Sequence, residues 1–201
     1  MNIKGEKTMK RRTFDGIVTL VGFGLSLFLF VAAGLMNWGY SFSDSAVSGQ
    51  LAAQKISIPA ATGNSAEDAS TTAFFKANAG KLMTTGKQAQ MYADHYLGFH
   101  LSRMATYADA STASRTASGA AAANPSDPAL QKAAASALAT LDTVFKGTTL
   151  RGTLLTAYAF WEIGQIARIS AGVALLGGLL LLVLSMAGWV HLRRTPEDAT
   201  I

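Results

Sequence analysis

The segment Met91–His100 contains the residues best suited to chemistry. Asp94, His95 and His100 fall within seven positions, and two imidazoles with a carboxylate form a possible ligand set for iron or zinc. If the segment is an α-helix, each residue advances about 100°, so the two histidines diverge by about 140° around the axis. Helical residues that share a metal normally stand four apart, with both rings on one face. We therefore expect His95 and His100 to make structural contacts and to bind no metal.

Glu162 is a second candidate, because it is an acid within the mainly apolar segment AYAFWEIGQIAR. As a functional residue it would bind a proton or a cation near a membrane surface. We favour the alternative, in which it pairs with Arg151 or Lys146 or lies at the wet interface. The sequence has no cysteine, no G-x-S-x-G elbow and no glycine-rich phosphate loop followed by lysine. We expect a non-enzymatic protein with no catalytic residue, no cofactor and no metal.

Two uncharged apolar segments determine where the histidines and Glu162 lie relative to a membrane. They are Ile17–Met36, with 20 residues, and Ile169–Val190, with 22 residues. At about 1.5 Å per residue, each spans the ~30 Å hydrocarbon core of a bilayer. We predict transmembrane helices over 16–38 and 168–191.

The first apolar segment could instead be a cleaved signal peptide. Its basic start and the small residues of VAAG at Val31–Gly34 fit that alternative. Against it, the apolar run exceeds the usual ~7–15 residues of a signal peptide. The run is also followed by Trp38, Tyr40 and Phe42, aromatic residues suited to a membrane boundary. We therefore favour a retained anchor.

The basic residues predict the orientation. Five Lys and Arg residues precede the first apolar segment, and Arg193 and Arg194 follow the second. The positive-inside rule then places both termini in the cytoplasm. We expect the protein to lie in the plasma membrane. The cytoplasmic tails would be 1–15 and 192–201, with an extracytoplasmic domain over 39–167. This distribution explains much of the net charge of +5, and without a basic stripe we expect no nucleic acid partner.

The domain over 39–167 has helical patterns and no strand-like alternation. Ser43 or Asp44 can cap a short helix that continues from the first span, and Ser65 with Asp68 resembles a capping box. The Ala/Ser/Thr-rich stretch 110–123 is either a frayed helix or a hinge. The predicted helices are 45–56, 69–83, 87–110, a helix capped by Asp127 from Pro128 to a stop at Gly147, and a last helix from Thr149 into the second span. The fold class is therefore all-α, with two transmembrane helices flanking an extracytoplasmic helical bundle.

Small residues at four-residue spacing mark one face of each span. Such faces let helices approach closely in lipid, so they pack the spans together or dock them on a larger membrane partner. The helix-packing residues are Gly22, Ser26, Ser170, Ala174 and Gly178. The interfacial anchors are Trp38, Tyr40, Tyr158, Trp161, Trp189, Arg193 and Arg194. Leu150, Leu154, Tyr158 and Trp161 also form an apolar stripe suited to burial against the bundle.

The sequence resembles a family of two-span membrane proteins from actinobacteria that has no established function. The residues that carry the resemblance are NWGYSF, QLAAQKISIP, GKQAQMYADHYLGFHL, NPSD, TLRGTLLTAYAFWEIG and HLRRTP. Members are sometimes labelled as ring-opening dioxygenases, a label that the placement of these histidines does not support. The resemblance implies an envelope location and a membrane-associated accessory role.

Two functional hypotheses follow from the sequence. The favoured one is a structural or accessory subunit of a cell-envelope or respiratory membrane assembly. Its partners would be the lipid bilayer and either another membrane protein or further copies of the chain. The alternative is an extracytoplasmic small-molecule sensor. That sensor would need a separate signalling partner, because tails of about 15 and 10 residues are too short for an output domain.

The topology is testable by single-cysteine labelling, since the chain has no cysteine of its own. In intact cells, we expect a membrane-impermeant thiol reagent to label Ser65→Cys. Thr200→Cys should react only after lysis, because the basic flanks hold that end inside. Labelling of Thr200→Cys but not of Ser65→Cys in intact cells would overturn the predicted orientation.

Overall fold

The computed structural model describes residues 9–197 and residue 199. The ends of both predicted tails, residues 1–8, 198, 200 and 201, lie outside the described residues. Within the described part the chain is helical and has no strand, which confirms the all-α prediction. The helices are α1 Arg11–Ala53, α2 Ala69–Asn78, α3 Gly86–Met91, a π-helix Tyr92–Leu97, α4 Gly98–Ser102, α5 Tyr107–Ala123 and α6 Pro128–Arg194.

The first helix, α1, has 43 residues and runs well beyond the first apolar segment. Its predicted continuation past that segment is confirmed, while the predicted cap at Ser43 or Asp44 is wrong. The Ser43 hydroxyl instead donates to the carbonyl of Phe160 at 2.6 Å. The helix ends at Ala53, shortly before Lys55 takes a left-handed backbone conformation with φ of 53°.

The last helix, α6, has 67 residues and ends at Arg194. Its predicted start is confirmed, since the Asp127 carboxylate accepts the backbone N–H of Ala129 at 2.8 Å. The predicted stop at Gly147 is wrong, and no new helix starts at Thr149. Gly147 serves packing, because a Cβ there would lie 2.8 Å from the Leu101 side chain.

The chain divides into two compact units. One, here called the helix-pair unit, comprises the described residues within Met1–Phe42 and Gly164–Ile201. The other, here called the helical domain, is Ser43–Ile163. Both α1 and α6 contribute residues to each unit.

The helical domain has a core of large apolar side chains. Phe75 and Met83 are 0% exposed and Ile58 is 1% exposed. The predicted helix over 69–83 is too long: α2 ends at Asn78, and the chain then turns back. Backbone bonds from Ile58 N to Lys81 O (2.9 Å) and from Met83 N to Ile56 O (2.8 Å) follow. This short extended pairing brings Ile58 and Met83 into the core.

The cap of α2 is Asp68 alone, so the predicted capping box with Ser65 is wrong. The Asp68 carboxylate accepts the Ser70 hydroxyl at 2.6 Å and the Thr71 backbone N–H at 2.9 Å. The Ser70 bond, followed by the Thr71 bonds, holds the pKa of Asp68 well below its usual range. A capping box does occur one helix later, at Thr85 and Gln88.

The predicted helix over 87–110 is also interrupted. It ends at Ser102, and Thr106 begins α5 by accepting the backbone N–H of Asp109 at 3.2 Å. The Ala/Ser/Thr-rich stretch 110–123 is helical, which decides between the two alternatives left open by its composition. Alanine has the highest helix propensity and the cap satisfies the first turn, while burial of Ala110, Ser114 and Ala121 adds tertiary packing.

Candidate functional site

A row of small side chains on each helix holds the helix-pair unit together. These residues are buried and recur every seven positions: Thr19, Ser26 and Ala33 on α1, and Ala171, Gly178 and Ser185 on α6. Seven residues is the period at which two α-helices remain in contact along a left-handed twist. The repeat therefore defines one continuous contact between the two helices.

The contacts show that α1 and α6 run antiparallel in this unit. Ser26 is 1% exposed, and its hydroxyl donates to the carbonyl of Gly178 at 2.8 Å. Thr19, earlier in α1, lies opposite Gly188, later in α6: a Cβ at Gly188 would be 2.9 Å from the Thr19 hydroxyl. The Ser26 bond satisfies a buried hydroxyl that would otherwise be costly in an apolar setting.

Two further glycines permit this close approach. A Cβ at Gly22 would clash with the hydroxyl of Ser185, and a Cβ at Gly178 would lie 3.0 Å from the Phe30 ring. Of the remaining small residues identified by four-residue spacing, Ser170 and Ala174 are half-buried. Four-residue spacing did not identify Ala171 or Ser185, whereas the seven-residue repeat includes both.

The outer surface of the helix pair is apolar. Both α1 and α6 are long and apolar enough to cross a membrane, and 17% of the most apolar window of each is buried. Exposed side chains include Leu20 at 73%, Phe28 at 66% and Leu176 at 68%. In water this surface would favour aggregation, whereas in a bilayer it would contact lipid.

Aromatic and basic residues pair near the ends of the helix-pair unit. Trp38 is 68% exposed, while Tyr40 lies beneath the guanidinium of Arg168, 5.3 Å from its ring centroid. At the other end, the Arg193 guanidinium lies 3.7 Å from the ring centroid of Trp189. These contacts are cation–π pairs that keep the charge beside an amphipathic ring.

The other two aromatic residues proposed as anchors lie in the helical domain and are half-buried. Trp161 packs so closely on Gly86 that a Cβ there would clash with the indole. Leu154, from the predicted apolar stripe, is 3% exposed and belongs to the core, with Leu150 and Trp161 packed against it. Tyr158 lies 6.3 Å from Trp161, measured between ring centroids.

The segment with the two histidines is a π-helix over Tyr92–Leu97. In it the Gly98 N–H reaches the Ala93 carbonyl five residues back, instead of four. The divergence of about 140° between His95 and His100 assumed an α-helix, so that argument does not hold here. The hydrogen-bond partners of His95 and His100 show instead what the two side chains contact.

The two histidines bond to different partners, and neither partner is Asp94, which bonds to Arg151. His95 Nδ1 donates to the Glu67 carboxylate at 2.8 Å, which ties the chain before α2 to the π-helix. His100 Nδ1 donates to the Tyr96 carbonyl at 2.7 Å within its own helix. Among the described residues, no group of three or more His, Cys, Asp or Glu side chains is arranged to hold a metal ion.

Arg151 of α6 binds the π-helix at two points. Its Nε donates to the Ala93 carbonyl at 3.0 Å and its Nη2 donates to the Asp94 carboxylate at 3.1 Å. Ala93 is 0% exposed, and its carbonyl accepts from both Arg151 and Gly98. A charged donor at a widened helical turn explains how the π-helix is held in this domain.

Glu162 does not pair with either basic residue suggested by the sequence. Arg151 bonds to Asp94, and Lys146 bonds to Asp142 at 2.6 Å, one turn earlier in α6. Both proposed ion pairs are therefore wrong. Glu162 itself is half-buried.

Tyr92 completes the aromatic group on the π-helix. Its ring centroid lies 4.9 Å from that of Tyr96. Burial raises the pKa of the Tyr92 phenol, and the neighbouring Tyr96 adds to the rise. Tyr92 therefore remains neutral at physiological pH, and its side chain packs against the core of the domain.

Comparison with known proteins identifies no relative of this chain. No family model matches it, and neither a curated protein nor a solved structure matches it. The functional argument therefore rests on the contacts within the two units.

The close approach at Gly22 gives a matched pair of variants. Gly22→Leu should destabilise the helix pair by about 1–3 kcal/mol, because the larger side chain overpacks the contact with Ser185. Gly24→Leu, two residues along α1, is the control, since a Cβ there meets nothing within 4 Å. Thermal unfolding of both variants in one detergent provides the comparison. Equal stability of the two variants would contradict the packing.

The histidines give a second prediction. His95→Ala should lower the free energy of unfolding by about 1–3 kcal/mol, because Glu67, 12% exposed, loses its partner. His100→Ala should cost less, since it removes a bond within one exposed turn. Unfolding curves and metal analysis of the purified protein check both statements. Stoichiometric iron or zinc, lost in both variants, would show a metal site instead.

Proposed function

We propose that this chain is a two-span protein of the plasma membrane that serves as a non-enzymatic accessory subunit of a larger membrane assembly. Both termini would be cytoplasmic, and the helical domain would face the outside. The observation that carries the proposal is the small-residue contact between α1 and α6, which leaves an almost wholly apolar outer surface.

The length and charge of the helices support the membrane placement. Each apolar segment matches the ~30 Å hydrocarbon core, and the flanking basic residues favour one side. An antiparallel pair returns the chain to the side where it started, as two spans with cytoplasmic ends require. Lipid offers no hydrophobic drive for helix association, so a close small-residue contact with a buried hydrogen bond suits that environment.

The contacts of the helical domain support a structural role. His95 bonds to Glu67, and Asp94 and the Ala93 carbonyl bond to Arg151. These hydrogen bonds hold the π-helix to its neighbours, so the polar side chains have a structural role. A rigid domain of this kind would present a surface to a partner.

The partner would be another membrane protein or a second copy of this chain, bound along the outer face of the helix pair. Photo-crosslinking in living cells tests this. A photoreactive amino acid is placed singly at Leu20, Leu27, Leu176 and Leu180, each more than 60% exposed. Ser26, which is 1% exposed, provides the buried control.

We expect one side of the pair to give a discrete crosslinked protein, identified by mass spectrometry, while Ser26 gives none. Crosslinks confined to neighbouring positions would define the contact face. Absence of protein crosslinks at all four exposed positions would indicate a helix pair surrounded by lipid. The accessory-subunit proposal would then be wrong.

A further inference from the structure

The helical domain contains a cleft of about 400 Å³ between α4, which follows the π-helix, and the middle of α6. It is lined by Gly98, Leu101, Ser102, Thr148, Arg151, Gly152 and Leu155. Its volume falls within the range of small-molecule sites, which is about 300–1,000 Å³.

Two glycines keep this cleft open. A Cβ at Gly152 would meet nothing within 4 Å, and one at Gly98 would make only ordinary contacts of 3.5 Å or more. Neither glycine has a positive φ, and glycine inside a helix costs about 1 kcal/mol relative to alanine. Packing and backbone conformation therefore do not require glycine at these two positions. Their lack of side chains instead leaves room for another molecule.

The walls of the cleft combine apolar surface with one cationic donor. Leu101 and Leu155 supply the apolar part. The hydroxyls of Ser102 and Thr148 already donate to carbonyls of their own helices, each at 2.8 Å. Arg151 is the lining residue that offers further N–H groups, because its two bonds use Nε and Nη2. A matching ligand therefore has an acceptor group and an apolar body.

The position of Arg151 limits the ligand further. Its side chain is 42% exposed, and the Asp94 carboxylate occupies one edge of the guanidinium. A second carboxylate can bind along the remaining edge, since Arg presents five N–H donors in a planar fork. The Asp94 charge competes with such a ligand, so the affinity should depend on Asp94.

We propose that this cleft binds a small monocarboxylate with a short hydrocarbon body. Its carboxylate accepts from Arg151, and its hydrocarbon lies against Leu101 and Leu155. This binding site goes beyond the accessory role. It would provide the ligand-binding site that a sensor requires. It depends only on the helical domain, so the crosslinking experiment on the helix pair and a test of the cleft can fail separately.

Hexanoate is a suitable probe, with hexanamide as its uncharged match. Isothermal titration calorimetry on the full-length protein in lipid nanodiscs measures binding, and empty nanodiscs correct for partitioning into lipid. We expect saturable, one-to-one binding of hexanoate in the millimolar range or tighter. Hexanamide should bind about tenfold more weakly, because it cannot form the charge-assisted bond to Arg151.

Three variants locate the binding in the cleft. Gly152→Leu should abolish it by filling the space, while Gly119→Leu, at another glycine whose Cβ would meet nothing within 4 Å, should leave it unchanged. Asp94→Asn should strengthen hexanoate binding by about threefold or more, because it removes a competing charge while keeping an acceptor for Arg151. Circular dichroism confirms that each variant is folded.

Three results would overturn the proposal. They are absence of saturable binding to the wild-type protein, equal binding of hexanoate and hexanamide, and binding that survives Gly152→Leu. Weaker hexanoate binding by folded Asp94→Asn would also contradict the assigned role of Arg151.

Discussion

The close approach of α1 and α6 at small side chains is the constraint on which the helix-pair unit depends. Two apolar helices in lipid gain nothing from excluding water, so their association must come from van der Waals contact and from buried hydrogen bonds. Ser26 supplies such a bond to Gly178, and Gly22 leaves space for Ser185. A larger side chain in this row would separate the helices and expose the Ser26 hydroxyl without its partner. The seven-residue repeat makes the contact continuous along the antiparallel pair.

The helical domain depends on a different interaction, the attachment of Arg151 to the π-helix. The widened turn places the Ala93 carbonyl where it accepts from both Gly98 and Arg151. His95, in the same segment, bonds to Glu67. Asp94 and His95, which suggest chemistry in the sequence, thereby hold the π-helix in place, and the same arrangement leaves a cleft beside Arg151. Structural bonding and ligand binding are compatible here, because Arg has more donors than the domain uses.

The sequence predicts the long helices and the start of α6 well, because the apolar segments and the helix cap at Asp127 are visible in it. The two apolar segments lie in long helices, and Asp127 with Pro128 starts α6 as expected. The π-helix has no local signal, since it is held by Arg151, which lies 57 residues beyond Asp94 in the chain. Gly147 resembles a helix stop, but α6 continues through it, and Leu101 packs against this position. Four-residue spacing identified part of the helix contact, and the full seven-residue row emerged from the pairing of both helices. Each of these differences involves contacts between residues far apart in the chain.

Disulfide crosslinking between the two helices tests the central contact most directly. The chain has no cysteine, and a Cβ at Gly188 would lie 3.9 Å from the Thr19 Cβ, within the range of about 3.5–4.5 Å that disulfides require. Thr19→Cys with Gly188→Cys is oxidised in native membranes, and the chain is then cut at a protease site inserted between Asn124 and Pro125. We predict that the two fragments stay joined on a non-reducing gel, while those of Gly24→Cys with Gly188→Cys separate. Fragments that separate in both pairs, or a crosslink that joins two chains, would contradict the antiparallel contact.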